Sequence, residues 1–374
     1  LHQRAAPPFD PGQILTACFG EGDEGRHAYE ACVAFEPGAV AAGSGRLLPF
    51  VYRRWGASDR NGLIERAHLA YIATWQRNRE RMAQAAAVVA EFERAGIECM
   101  LLKGAALTLR NYRDYGLRGM GDFDLLIHRG YLERAAALLL RNGWRAEEGR
   151  SLEAILRQAR VGHACQFSGS AGQNCDLHWH PLIRCYAPQV AEMFWEASET
   201  IDLAGHAVRI PCQTDQFLHV CVHGLHWERL PNLYWMADAI TVLRGGELDW
   251  DRAAALAERS DMRALFAQAL LVLAARFHIA VPGKIFDLDT PAWERRECAL
   301  MQKPCPLSLW DRLAWHRYHF RRIKPFDRQW SQLPYWIAFP QYLTAFWDAA
   351  KWRAFAERLW RKFRPRFRQP RGES

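Results

Sequence analysis

No run of about 18 apolar residues occurs in the chain, so no segment reads as a transmembrane helix. The opening, LHQRAAPPFDPG, lacks the apolar core of a signal peptide. Ten cysteines are scattered singly with no C-x-x-C pair, which excludes the common zinc and redox spacings. Several fall inside apolar patterns, where a free thiol behaves as a small hydrophobe, so reduced cysteines and a cytoplasmic location are expected. His219, His223 and His226 share i, i+4, i+7 spacing, but the glutamate of H-E-x-x-H is missing, and core or pocket histidines are a plainer reading than zinc. Internal repeats, low-complexity blocks and recognisable RNA- or DNA-binding motifs are absent as well.

What remains is a chain of 374 residues, half of them apolar, long enough for a full core and two or three subdomains. Its net charge of +8 is unevenly placed. Residues 310–374 hold 15 Lys+Arg against 5 Asp+Glu, leaving the rest with 34 against 36. Helical spacing of Leu63, Ala67, Ile72, Trp75, Met82, Ala86, Val89 and Phe92 predicts a long amphipathic helix from about residue 62, stopped by Gly96. Tyr131–Arg141 and Ser151–Arg160 read as further helices, the second with Ser151 as a cap. Residues 163–168 and 174–180 alternate around a Gly/Ser-rich turn and predict a β-hairpin. Residues 183–300 are mostly helical, interrupted by an extended piece at 207–210, and Pro325, Pro334, Pro340 and Pro365 break up the aromatic segment beyond them.

The chemistry concentrates in residues 98–127, which read as strand, glycine turn, helix, loop and strand, and in a return at NCDLHWH, residues 174–180. Strand alternation sends Asp122 and Asp124 to one face, opposite Phe123 and Leu125. Adjacent carboxylates repel, and a hard divalent cation such as Mg2+ or Mn2+ relieves that repulsion. Asp176, alternating with Cys175 and Leu177, is placed to supply a third oxygen ligand. Gly104 offers a backbone that phosphate can approach, since it has no Cβ, and Lys103 precedes it at the turn. Arg118, in the loop before the second strand, has the fork geometry that clamps phosphates.

These features, Leu101–Gly104, Arg118–Leu126 and Asp176–Trp179, resemble a bacterial branch of uncharacterised nucleotidyltransferase-like proteins within the DNA polymerase beta nucleotidyltransferase superfamily. The likeness covers residues 96–182 and continues weakly into 215–227 and 233–243. It implies an α+β protein with a small mixed sheet at residues 91–182. A helical region at 1–90, a larger helical domain at 183–309 and a basic aromatic segment at 310–374 would surround that core. It also implies Asp122, Asp124 and Asp176 as metal ligands and catalytic residues, with Asp176 nearest the nucleophile as a candidate base. Lys103, Gly104 and Arg118 would hold a nucleoside triphosphate. His178, on the face of Asp176, would line the acceptor pocket or orient a carboxylate, while His180 reads as structural. His223 would reach the cleft from a helix packed over it, and Asp238 reads as a buried hydrogen-bonded carboxylate.

The implied reaction moves a nucleoside monophosphate from an NTP such as ATP to an acceptor: a small molecule, peptide or protein. Gly104-Ala105 replaces the superfamily's usual Gly-Ser, and the gap to Asp122 is longer than usual. That departure keeps two alternatives open: an accessory binding protein on a degenerate transferase scaffold, and transfer of another phosphate-linked group such as a sugar. For residues 310–374 the plainest reading is aromatic capping of the helical domain with solvated arginines. An anionic membrane surface, bound peripherally, or an acidic partner ranks next, ahead of nucleic acid.

Overall fold

Residues 99–102 and 123–127 are buried without interruption, the pattern of strands covered on both faces. The structure, a computed structural model, describes residues 10–34, 45–170, 172–227, 233–303 and 307–346. These two stretches are β1 (Cys99–Leu102) and β2 (Phe123–Ile127) of a mixed seven-stranded sheet. The others are β3 (Arg145–Ala146), β4 (Ala164–Ser168), β5 (Asn174–His178), β6 (Glu199–Leu203) and β7 (His206–Ile210). Their order is β3-β4-β5-β2-β1-β7-β6. β2 pairs antiparallel with β1 and parallel with β5, while β4–β5 is the expected hairpin. The α+β class is as the sequence implied.

The sheet is wider than the stretch 91–182. β6 and β7 form a second hairpin through Ala204 (φ 54) and Gly205 (φ 89) and join the sheet beside β1. β6 carried no strand signal because it is an edge strand with mostly exposed side chains, which need no apolar alternation.

Period-two alternation divides the core. Cys99, Leu101, Phe123, Leu125, Cys175 and Leu177 pack on one face with the end of the long helix Gly62–Arg94. Met100, Leu102 and Leu126 face the other way, into a cluster built from the N-terminal helices and from helices Gln213–Trp227, Tyr234–Arg244 and Arg263–Phe277. The long helix starts at Asn61, whose side chain accepts from Ile64 N, and touches both cores. Ile72 and Trp75 are not on its buried stripe, being 39% and 38% exposed; Thr74 and Asn78 replace them. The stripe turns polar there because the helix meets a loop backbone instead of a core.

Helices Ala292–Met301, Leu309–Ile323 and Tyr335–Phe346 come next, the last with Pro340 inside it instead of at a break. Phe320, Ile323, Trp330 and Tyr342 form a third cluster with Val161 and Tyr186 of the sheet region. Beside it Glu297 is paired with two arginines, Arg184 at 2.5 Å and Arg322 at 2.6 Å, all three almost fully buried. Arg322 also donates to the carbonyls of Ser260 and Asp261. Within the basic aromatic segment, residues 347–374 lie outside the described residues. No described helix is long and apolar enough to cross a membrane.

Candidate active site

The same alternation that buries Phe123 and Leu125 turns Asp124 toward the opposite face, along with Asp176 and His178 of β5. Asp124 and Asp176 are direct register partners on parallel strands. Asp122, one residue before β2, keeps the same parity and lines the same cleft of about 500 Å³. The sequence-predicted carboxylates are therefore brought together. The tightest cluster is Asp124, Asp176 and His178, with one ligand atom from each within 4.8 Å of the others.

Leu102 faces Asp124 across the β1–β2 pair, so the chain leaves β1 beside the carboxylates. Lys103 is the next residue, and its Nζ lies 2.5 Å from Asp124 Oδ1. Its φ of 45 is in the left-handed region, a strain of about 1–3 kcal/mol for a residue with a side chain. Such strain persists where surroundings over-determine it, here through the ion pair. His178 Nε2 approaches the same Asp124 oxygen at 2.9 Å, so His178 orients a carboxylate and is itself buried.

Three carboxyls in one place acquire different acidities. Burial opposes ionisation of Asp124, but Lys103 and the His178 hydrogen bond outweigh it and hold this carboxyl well below its usual range. Burial and then repulsion from Asp124 push Asp122 upward. The same two causes, in the same order, push Asp176 up to about 7. A hydrogen bond from its cross-strand neighbour Gln166 offsets this rise in part, while Asp176 Oδ1 is buried with no hydrogen-bond partner.

Gly104 makes room for Arg118: a Cβ there would lie 2.5 Å from Arg118 Nη1 and 2.9 Å from Met120 Cγ. Arg118 uses Nε and Nη2 to grip both oxygens of Asp238, at 2.8 and 2.9 Å. The Tyr112 hydroxyl donates to Asp238 at 2.6 Å. Asp238 is thus the anchor of the arginine, a buried carboxylate as expected. Burial works against the charge on Arg118, yet Asp238 more than offsets it and raises the guanidinium pKa above its ordinary value. The Tyr234 ring is in contact with both Arg118, 5.6 Å away, and Arg46, 4.3 Å away.

Helix Gln213–Trp227 supplies another wall through His219 and His223, whose rings are 5.9 Å apart. Burial, then the Lys103 charge, push His219 down to about 3, so its ring is neutral. The His226 side chain lies outside the described residues, and among those described the histidine triplet forms no metal-ligand cluster. His180 sits apart from the cleft, against Arg129 and the Tyr186 ring.

Three contributors escaped the sequence. Arg46 reaches the cleft from a distant segment, with no motif to mark it. Gln166 was findable by aligning the predicted hairpin, which sets it opposite Asp176. Asn78 donates to the carbonyls of Tyr115 and Arg118 at 2.7 and 2.6 Å and accepts from Met120 N, bracing the loop that carries Arg118. Its only signal was a polar residue on the buried stripe of a helix.

The sequence profile of a protein family described as "Uncharacterised nucleotidyltransferase" matches residues 40–278. No curated protein matches the chain. Among solved structures, an antigenic nucleotidyltransferase-like protein from Paracoccidioides brasiliensis is similar at 15% identity and a TM-score of 0.33. The similarity covers 54% of this chain and 98% of that one.

Proposed function

The chain belongs to this uncharacterised nucleotidyltransferase family, and on that footing we propose that it is a divalent-metal-dependent transferase. It would move a nucleoside monophosphate from an NTP to an acceptor bearing a nucleophilic oxygen. The observation that carries this reading is the convergence of Asp122, Asp124 and Asp176 on a cleft that also holds Lys103 and Arg118.

The residues fit a hard cation. Asp176 Oδ1 is a buried acceptor with no donor, and carboxylate oxygens beside an imidazole are a donor set that suits Mg2+ or Mn2+. Asp124 and Asp176 would hold the ion, Asp122 would contribute from the strand end, and His178 would fix Asp124. When bound, such an ion supplies charge stabilisation to phosphoryl chemistry at the cleft.

The remaining groups have separable tasks. Arg118 is held through Nε and Nη2, which leaves Nη1, over Gly104, to meet a phosphate oxygen. Lys103 sits on Asp124 and would turn toward a triphosphate once another cation neutralises that carboxylate. Asp176, the carboxylate opposite Asp124 on the neighbouring strand, would accept the proton of the incoming hydroxyl. His219, neutral and buried, can donate or accept a hydrogen bond without adding charge.

The accessory-protein reading also has a specific observation behind it: the Lys103 ammonium already sits among the carboxylates where a cation would. A thermal-shift panel separates the two. The four NTPs and several nucleotide sugars are tested with and without Mg2+ or Mn2+, on wild type and Asp124→Asn. The transferase reading expects stabilisation that needs both metal and one NTP, and loses it in the variant. A shift with nucleotide sugars alone would move the donor class. No shift with any ligand in either protein sinks the transferase and leaves the scaffold role.

A further inference from the structure

A second cavity, of about 600 Å³, opens between the N-terminal helices, helix Leu48–Trp55 and helix Tyr234–Arg244. Its floor is apolar and aromatic, with Phe19, Phe50, Tyr112 and Leu117. Phe50 touches both Phe19 and Tyr112, at 5.3 and 5.6 Å between rings. Its rim carries three guanidiniums, Arg53, Arg54 and Arg244. Among the described lining residues the one carboxylate, Glu21, is 94% exposed and stands 3.9 Å from Arg244, too loose to neutralise the group. Arg53 and Arg54 form no ion pair with any described carboxylate, although Arg54 is half-buried. Burial first, with Arg244 among the nearby charges, lowers the Arg54 pKa.

Drawing cations together without counter-charge is unfavourable, and a partly desolvated guanidinium gains most from a bidentate oxyanion. One half-buried guanidinium, Arg54, flanked by the exposed Arg53 and Arg244 over an aromatic floor, matches one doubly charged head with an apolar body. A phosphate monoester has that form, and the cavity volume suits a small molecule.

We propose that this cavity is a second ligand site, taking a small phosphate monoester with its phosphate among Arg53, Arg54 and Arg244 and its body on Phe19, Phe50 and Tyr112. The site does not depend on the transferase reading. Tyr112 belongs to both neighbourhoods, since its hydroxyl is bonded to the anchor of Arg118 in the cleft.

Calorimetric titration of the full chain with phenyl phosphate and with inorganic phosphate, in chelator, tests it. Saturable binding is expected, tighter for phenyl phosphate. Arg53→Ser, at an exposed position where folding is little affected, and Arg244→Ser, which also gives up the hydrogen bond from Arg244 Nη2 to the Phe19 carbonyl, each weaken it by about tenfold or more. Lys103→Met leaves it intact, because the cleft is not involved. The proposal is overturned by an absence of binding, by unchanged affinity in both arginine variants, or by loss of binding in Lys103→Met. Equal affinity for the two anions removes the aromatic floor from the site and overturns the monoester assignment.

Discussion

Replacing Asp238 by asparagine probes the energetics of the Arg118 anchor, because the shape is kept while the charge and one of the two acceptor oxygens gripped by Arg118 are lost. Arg118 and Asp238 are 14% and 6% exposed at the side chain, so the guanidinium left behind has little water to turn to. Breaking a buried pair on one side costs about 3–5 kcal/mol, and the low end applies because the amide oxygen still accepts from Arg118 and Tyr112. An unfolding entropy of about 2.1 cal/mol/K per residue gives about 0.8 kcal/mol/K for 374 residues, so a loss of about 3 kcal/mol lowers Tm by roughly 4 °C. Arg118→Met alone should cost a similar amount by stranding the carboxylate. The double variant Arg118→Met/Asp238→Asn removes both charges and keeps an acceptor for Tyr112. It should regain at least half of the loss, a coupling that a double-mutant cycle reads directly. Scanning calorimetry of the four proteins without metal gives the numbers. Asp238→Asn melting within about 1 °C of wild type, or a double variant less stable than either single one, would refute a buried and mutually dependent pair.

Two further outcomes concern the cleft. In Gly104→Ala the new Cβ must displace Arg118 Nη1, which lies 2.5 Å from it. We expect a stability loss of about 1–3 kcal/mol in urea denaturation and weaker triphosphate binding; an unperturbed variant would mean that the guanidinium is not seated there. Asp176 titrates at about 7 in the folded chain against an ordinary 3.8. Between those values the folded protein keeps a proton that the unfolded chain has released. Stability of the metal-free protein therefore falls as pH rises from about 4 to about 7 and levels off above. Asp176→Asn should flatten that slope, and urea midpoints that decline equally in both proteins would count against the raised carboxyl.

The grouping of the carboxylates in the candidate site was legible because its determinants are local. Asp122, Asp124 and Asp176 lie on or beside strands whose alternation can be read from a handful of residues, and Gly104 marks the turn. What escaped depends on which segments meet. Asn78 and Arg46 acquire their roles from a loop and a ring distant in sequence. The role of Gly104 was only half visible: the missing Cβ was foreseen, but not that the Arg118 guanidinium fills the space. In the fold, β6 was missed because an exposed edge strand has no apolar face to advertise itself. Ile72 and Trp75 misled for the converse reason, as apolar residues that the long helix leaves at the surface.

Family resemblance stops at residue 278, yet Arg184, inside it, has its counter-charge at Glu297, beyond it. Inheritance of the shared region therefore carries a debt to sequence outside it. A relative that ends early, or continues differently, must also lack the arginine equivalent to Arg184 or meet it with another acid. The residue at that position should vary in step with the sequence C-terminal to the shared region.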